Sequence, residues 1–81
     1  MAKTEKDIFL NVFGKHLSEL RRQKNITQDK LAFDAGIDIG TLSKMERGIL
    51  NISIYNAYKI AKVLNIPYKE LFDFKHSNQK K

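Results

Sequence analysis

Residues 27–48 read TQDKLAFDAGIDIGTLSKMERG, and this stretch decides the fold. Thr27 is a good helix N-cap, and Asp29 places a negative charge in the first turn, where it complements the helix dipole. These signals predict a short helix from about Gln28 to Ala35. Gly36 follows directly and can adopt the left-handed conformation that ends one helix and turns the chain into the next.

A second short helix is predicted from about Ile39 to Arg47. Asp38 caps this helix and Gly48 ends it. Leu42 and Met45 lie three residues apart and form its buried side. Its opposite side carries small, polar and basic residues, namely Gly40, Thr41, Ser43 and Lys44. Two short helices joined by a turn that contains glycine, the second exposing such residues, are the sequence form of a helix-turn-helix.

A longer helix is predicted before this pair. Thr4 caps it, Asp7 completes a variant of the capping box, and the helix ends near Asn25. Its large apolar residues recur at helical spacing and share one face, which we expect to be buried. These residues are Phe9, Phe13, Leu17 and Leu20.

Two further helices are predicted after the pair. Ser53 caps the fourth helix, whose apolar residues also recur at helical spacing. Pro67 opens a short fifth helix, because proline is tolerated in a first turn. No stretch alternates apolar and polar residues as a half-buried strand does. The sequence therefore predicts an all-α fold of five helices.

Length and charge limit what the chain can be. Its 81 residues suffice for one compact domain. We expect a flexible N-terminal arm at residues 1–6, a folded domain at 7–74 and a disordered polar tail at 75–81. The net charge of +6 and the isoelectric point near 9.7 favour a polyanionic partner. A core of this size is marginally stable, and without cysteine no disulfide supplements it, so we expect a dimer.

The sequence argues against several classes of protein. It has no cysteine, and His16 and His76 are far apart, so we expect no metal, no cofactor and no enzyme; His16 is expected on a helix surface. No apolar run approaches the roughly 20 residues that span a bilayer, so no membrane association is expected. The first residues are charged and no secretory signal follows them, which makes the cytoplasm the expected compartment.

The residues quoted above resemble a known family. The runs TQDKLA at 27–32, AGID at 35–38 and LSKMERG at 42–48 are similar to the lambda-repressor and Cro (XRE) type of helix-turn-helix. The similarity extends over about residues 9–72. It implies a five-helix lambda-repressor-like domain that binds double-stranded DNA, with the helix-turn-helix at helices 2 and 3.

A finer resemblance concerns the small dimeric controller proteins of restriction-modification systems. It rests on the size of the chain and on the stretch between residues 46–48 and 51–53. Phage repressors and the antitoxins of toxin–antitoxin pairs share nearly all of these features. The resemblance therefore implies a homodimeric transcriptional regulator, with an antitoxin or another protein-interaction module as the alternative.

In this family the N-terminal end and exposed side of the third helix enter the major groove. The resemblance implies that the residues reading bases are Asp38, Ile39, Gly40, Thr41 and Lys44. Lys44 is the strongest candidate, because a lysine can donate to O6 and N7 of guanine; a solvated lysine or a phosphate contact is the alternative. Ile39 can touch a thymine methyl group. Gly40 indicates either close approach of the backbone to DNA or a tolerated defect in the helix.

Further residues are expected at the DNA backbone or in its support. Arg21 and Glu46 match a pair that forms a salt bridge in relatives, and we expect them to tie the first helix to the third. Phosphate contacts set the register of a protein on DNA without reading its sequence. By resemblance they are expected from Gln28, Ser43, Arg47, Asn51, Ser53 and Tyr55.

An apolar cluster after the third helix indicates an interface, because exposed clusters of this kind commonly bind protein. Its expected members at a dimer interface are Ile49, Leu50, Ile52, Tyr58, Tyr68 and Phe72. Pairing through the fourth and fifth helices would present two reading helices about 34 Å apart to a palindromic operator. Ile54 belongs to the same apolar cluster, and for Ile52 and Ile54 ordinary core packing against the first helix is the alternative.

Overall fold

The structure, a computed structural model, describes residues 3–75, which form five helical elements. In chain order these are α1 (Glu5–Gln23), α2 (Gln28–Ala35), α3 (Ile39–Glu46), α4 (Ile54–Leu64) and a 3₁₀-helix (Tyr68–Phe72). No strand occurs in this part of the chain, so the predicted all-α fold is confirmed. The fifth element is a 3₁₀-helix rather than an α-helix, as is common for helical segments of a few residues.

A side-chain cap begins each α-helix at the predicted residue. Thr4 and Asp7 form a reciprocal capping box, in which Asp7 N–H donates to Thr4 Oγ1 at 3.0 Å and Thr4 N–H donates to Asp7 Oδ2 at 3.2 Å. The side chains of Thr27, Asp38 and Ser53 accept from first-turn N–H groups of α2, α3 and α4. These caps satisfy N–H groups that a helix leaves free, which explains why the starts could be predicted.

The helix ends agree less well with the sequence. α1 ends at Gln23 with Lys24 as its C-cap, within two residues of the predicted end near Asn25, which follows in a left-handed conformation with a φ of 59°. α3 ends at Glu46, one residue before the predicted Arg47. Because backbone geometry at these ends depends on how the following loop packs, the local sequence gives it poorly.

The predicted arm at residues 1–6 overlaps α1. This helix begins at Glu5, so residues 5 and 6 are helical rather than part of an arm. Residues 3 and 4 precede the helix, while residues 1–2 of the predicted arm and 76–81 of the predicted tail lie outside the described residues. The division into arm, domain and tail otherwise stays a prediction.

All five elements contribute to one apolar core. Its most buried side chains are Leu17, Leu31, Leu42, Met45, Ile60, Leu64 and Leu71. Of the predicted stripe on α1, Phe13 is buried, Leu20 is half-buried and Phe9 lies at the surface against Phe74, with ring centroids 5.8 Å apart. Burying one such aliphatic side chain contributes about 2 kcal/mol relative to exposing it. This shared core holds the two short helices on α1 and α4.

Two glycines fix α3 against α1. A Cβ added at Gly14 would lie 2.5 Å from the carbonyl oxygen of Glu46 and 2.6 Å from that of Met45. A Cβ added at Gly48, whose φ is 78°, would lie 2.6 Å from the Cα of Asn11. All these neighbours are backbone atoms, so no side-chain rotation can relieve either contact. The C-terminal end of α3 therefore rests directly on α1, while its other end is exposed.

The C-terminal segment folds back over α1. His16 Nε2 lies 2.6 Å from the carbonyl oxygen of Glu70, and the His16 ring lies against Phe74 with centroids 5.2 Å apart. Phe13 stacks on Phe72 at 5.4 Å. His16 is therefore a half-buried contact between α1 and the 3₁₀-helix, and its expected place on the helix surface is wrong. The partner that draws it inward is distant in sequence.

Candidate nucleic-acid interface

The outward side of α3 is open to solvent. Leu42 and Met45 turn into the core and are buried, and Glu46 turns towards Arg21 of α1, so the edge that carries Ile39, Gly40 and Lys44 faces outward. Gly40 and Lys44 are exposed and Ile39 is 42 % exposed. All the residues predicted to read bases keep exposed surface: Asp38, Ile39, Gly40, Thr41 and Lys44. The arrangement leaves one edge of a short helix free to lie along another molecule.

Asp38 occupies the free N–H groups at the start of α3. Its Oδ2 accepts from the N–H of Gly40 at 2.9 Å and from that of Thr41 at 3.3 Å. Helix N-termini often bind phosphate through such groups, but here a carboxylate already holds them. The tip of α3 therefore presents a negative charge rather than an anion site.

Gly40 has no role in the packing of the domain. An added Cβ would meet a single neighbouring atom within 4 Å, the Oδ2 of Asp38 at 3.0 Å. That carboxylate belongs to an exposed side chain and can move. Glycine inside a helix costs about 1 kcal/mol relative to alanine, and the described part of the fold gains nothing from it. This contrasts with Gly14, where an added methyl group would strike backbone atoms.

Arg21 and Glu46, paired above by resemblance, form a bidentate ion pair between α1 and α3. Arg21 Nε donates to Glu46 Oε2 at 2.7 Å and Nη2 donates to Oε1 at 3.0 Å. Arg21 Nη1 also donates to the carbonyl oxygen of Ile26 at 2.9 Å, which anchors the loop before α2. Hydrogen bonding to Glu46 raises the pKa of Arg21 above its ordinary value, so the guanidinium stays charged across the physiological range.

Gln28 joins this pair. Its Nε2 donates to Glu46 Oε1 at 2.9 Å, so the first residue of α2 is tied to the last residue of α3. Gln28 was predicted from the sequence as a phosphate contact, and the bond to Glu46 was missed. No local signal could have found it, because it depends on how α2 crosses α3.

The other predicted phosphate contacts are dispersed around α3. Arg47 and Asn51 are exposed, and Ser43 is half-buried. Ser53 accepts from the N–H of Asn56 at 3.0 Å as the cap of α4, which leaves its hydroxyl hydrogen free to donate. The segment between α3 and α4 thus carries a cation and hydrogen-bonding side chains; Asn51 lines a hollow with Lys3 and Lys6, and Ser53 lies beside α4.

Tyr55 belongs to a different group of side chains. Its ring stacks on Tyr58 with centroids 5.9 Å apart and an interplanar angle of 14°, and Lys59 Nζ lies 4.8 Å from its centroid. Tyr58 in turn lies 6.1 Å from Tyr68. The structure therefore brings Tyr55 together with residues predicted at a dimer interface, along the surface of α4.

An apolar hollow lies between α4 and the 3₁₀-helix. Its volume is about 420 Å³, and its lining residues are Ile52, Ser53, Ile54, Ala57, Tyr58, Tyr68, Leu71 and Phe72. Four of these were predicted at a dimer interface from the sequence. Ile54, which was not among those six, is 89 % exposed and has the most open side chain of the group. We call these eight residues the α4 hollow.

The other two predicted interface residues lie elsewhere. Ile49 lines a separate hollow with Lys3, Lys6 and Asn51, and Leu50 is half-buried against the core. Ile52 is half-buried and packs against the core while also lining the α4 hollow, so its core packing is observed and its place at a dimer interface stays a prediction.

Two negative findings concern residues 3–75. None of the helices there is long and apolar enough to cross a membrane. Three or more His, Asp or Glu side chains do not come together there in a group able to hold a metal ion.

Comparisons with known proteins agree with this geometry. A helix-turn-helix family profile matches residues 17–71. Control protein C.BamHI from Bacillus amyloliquefaciens is 39% identical over 64 residues, which cover 78% of this chain and 79% of that protein. The crystal structure of the restriction-modification controller protein C.AhdI from Aeromonas hydrophila superposes with a TM-score of 0.77 at 42% identity, covering 79% of this chain and 97% of that one.

A third similar protein is the N-terminal DNA-binding domain of SinR from Bacillus subtilis. It superposes with a TM-score of 0.74 at 31% identity and covers 83% of this chain and 99% of that domain. The matched region includes α2, α3 and the ion pair that ties α3 to α1. The chain belongs to the helix-turn-helix family of the lambda-repressor and Cro type and is a DNA-binding regulator of transcription.

Proposed function

We propose that this chain acts as a homodimer that recognises a palindromic operator with α3 of each subunit, and that it is the controller of a restriction-modification system. The observation that carries the proposal is the open edge of α3. Gly40 and Lys44 face solvent there while the opposite edge is buried, so the helix can enter a major groove without rearrangement.

Base reading falls to the exposed residues of α3. Lys44 donates to O6 and N7 of guanine, and Ile39 touches a thymine methyl group. Gly40 lets the helix backbone approach the groove closely, which accounts for a glycine that the packing does not require. Thr41 lies at the same edge, and Asp38 disfavours wrong bases by its charge.

Phosphate contacts supply most of the affinity and set the register. Arg47 provides a cation beside the reading helix, and the +6 net charge attracts the duplex over longer range. The polar contacts come from Gln28, Ser43, Asn51, Ser53 and Tyr55. Of these, Tyr55 also belongs to the aromatic row on α4 and is better suited to the subunit interface.

The α4 hollow is the proposed contact between subunits. It is apolar and exposed, and the small core of an 81-residue chain gains stability from covering it. Pairing through this face is isologous, so the two reading helices are related by a twofold axis and the operator is palindromic. The controller role is supported by the similarity to control protein C.BamHI and to the restriction-modification controller protein C.AhdI.

One observation favours a second function. Phe33 on α2 is 86 % exposed and lies outside the α4 hollow, so the domain has an apolar side chain available to another protein. An antitoxin or other protein-interaction module, with DNA binding secondary, is therefore the alternative.

Two experiments distinguish the homodimeric regulator from the protein-interaction module: selection of bound duplexes from a random pool, and sedimentation equilibrium of the protein. The proposal expects enrichment of an inverted repeat and a dimer at micromolar concentration. The alternative would be favoured if no sequence is enriched and the protein instead forms a complex with the product of a neighbouring gene.

A further inference from the structure

A hydrogen bond to the Glu46 carboxylate determines which end of the Gln28 side-chain amide faces Glu46. The Gln28 side chain lies half-buried at the first residue of α2, with Nε2 donating to Glu46 Oε1 at 2.9 Å. A carboxylate paired with arginine accepts hydrogen bonds and donates none, so the NH₂ end of the amide has to face Glu46. Nε2 carries two hydrogens, and within residues 3–75 the structure gives it one acceptor. The second N–H therefore has no acceptor among the described residues.

A carboxylate so close to that N–H would ordinarily repel a phosphate. Here both Glu46 oxygens are already engaged by Arg21, at 2.7 and 3.0 Å, and the side chains are 11% and 5% exposed. The pair is thus neutral overall and shielded from water, which makes its internal attraction stronger than that of a surface pair. Glu46 can therefore hold the amide without presenting a net negative charge to the DNA backbone.

We propose that Glu46 and Arg21 are positioning residues for phosphate binding. Glu46 orients Gln28 so that the second amide N–H donates to a phosphate oxygen, and Arg21 cancels the Glu46 charge beside that phosphate. The inference rests on the proposed function, because it requires the N-terminal end of α2 to meet a DNA backbone. The ion pair would then raise the affinity for DNA in addition to holding α1 against α3.

A double-mutant comparison separates these effects. Gln28→Leu removes the amide at similar volume, and it is made in the natural chain and in an Arg21→Met/Glu46→Met background. Replacing both members of a buried ion pair by apolar residues is often neutral for stability, whereas removing one is not. Arg47→Met serves as the matched control, since Arg47 is exposed and outside this hydrogen-bonded group. Affinity for a mixed-sequence duplex is measured by fluorescence anisotropy at a temperature where every variant is folded.

The expected result is a loss of about tenfold for Gln28→Leu in the natural chain, the size of one hydrogen bond to a charged group. In the apolar background the loss shrinks to less than about twofold, while Arg47→Met costs the same in both. An equal loss for Gln28→Leu in the two backgrounds overturns the inference, as does no loss in the natural chain. Failure of the natural chain to bind any duplex overturns the proposed function as well.

A second measurement needs no substitution in the ion pair. In ¹⁵N-labelled natural protein, the two side-chain amide protons of Gln28 give separate NMR signals. Titration with the same duplex is expected to shift one of them strongly and leave the Glu46-bonded proton nearly unchanged. If neither proton moves while signals of α3 do, Gln28 does not bind phosphate and the inference is wrong.

Discussion

Gly14 in α1 lies so close to the backbone of Glu46 in α3 that an added Cβ would stand 2.5 Å from the Glu46 carbonyl oxygen. The same Glu46 reaches back to α1 with its side chain, through the ion pair with Arg21. Backbone and side chain of one residue thus hold the reading helix to α1 from two directions. The position of α3 on the domain is set by contacts that leave it little freedom.

Gly14→Ala is expected to lower the free energy of unfolding by about 3 kcal/mol, because the new methyl group meets backbone atoms and overpacks the contact. Gly40→Ala is the matched control. Its methyl group meets a movable carboxylate, so the free energy of unfolding should stay constant or rise by up to about 1 kcal/mol. Urea denaturation measures the free energy of unfolding of both variants. Equal stability of Gly14→Ala and the natural chain would show that the helices can separate here without cost.

Gly40→Ala is also expected to weaken binding to the selected operator by about tenfold, although the domain is no less stable. A methyl group at this position stands between the α3 backbone and the floor of the groove, and binding loses about 1.4 kcal/mol for a tenfold change. Gel-shift titration against the selected site measures the effect. Unchanged affinity would mean that Gly40 is a tolerated defect in the helix.

Lys44→Ala should relax base preference, whereas Arg47→Ala should weaken all sequences alike. Loss of a good base contact removes about 1–3 kcal/mol of discrimination at one position. Loss of a phosphate contact lowers the slope of log affinity against log salt by about 1. Both variants are titrated against operator and random duplexes at several salt concentrations. Equal losses on the two duplexes for Lys44→Ala would assign it to the phosphates.

Asp38→Asn is expected to raise affinity for random duplexes by about fivefold, roughly the effect of removing one repulsive charge near the surface of the DNA. Asparagine caps helices as well as aspartate does, so the melting temperature should change little. The ratio of operator to random affinity should fall, because the charge no longer penalises wrong bases. A stability loss without any change in that ratio would limit Asp38 to its capping role.

Ile54→Lys is expected to weaken dimerisation at least about tenfold, since it places a charge in the α4 hollow and disturbs no buried contact. Phe33→Lys makes a similar change at an equally exposed residue outside the hollow and should leave the dimer intact. Sedimentation equilibrium of the two variants and the natural chain measures the dimer dissociation constants. If both dimerise like the natural chain, the subunits pair through another face or not at all.

The parts of the fold that were predicted correctly are those that local chemistry determines. Thr4, Thr27, Asp38 and Ser53 each begin a helix by a bond within their own first turn, so neighbours in sequence carry the information. The end of α1 lies close to the predicted Asn25, because asparagine tolerates the left-handed backbone that follows a helix. His16 was misplaced, since its contact lies in the distant 3₁₀-helix.

In the candidate site, too, some features could be predicted from local sequence and others could not. The open edge of α3 follows from helical periodicity once Leu42 and Met45 are taken as buried, and the structure has this arrangement. The bond between Gln28 and Glu46 depends on how the helices cross. Side-chain spacing along a single helix does not contain that information.

The close backbone contacts at Gly14 and Gly48 favour a fixed position of α3 on α1, so we expect each subunit to meet DNA as one unit. In the proposed dimer the distance and twist between the two grooves are then fixed before any duplex arrives. One base pair inserted at the centre of the operator rotates the far half-site by roughly 35° about the duplex axis, and neither helix can swing to follow it. If the subunits pair as proposed, we expect the two glycine contacts to make binding sensitive to the length of the spacer between the half-sites.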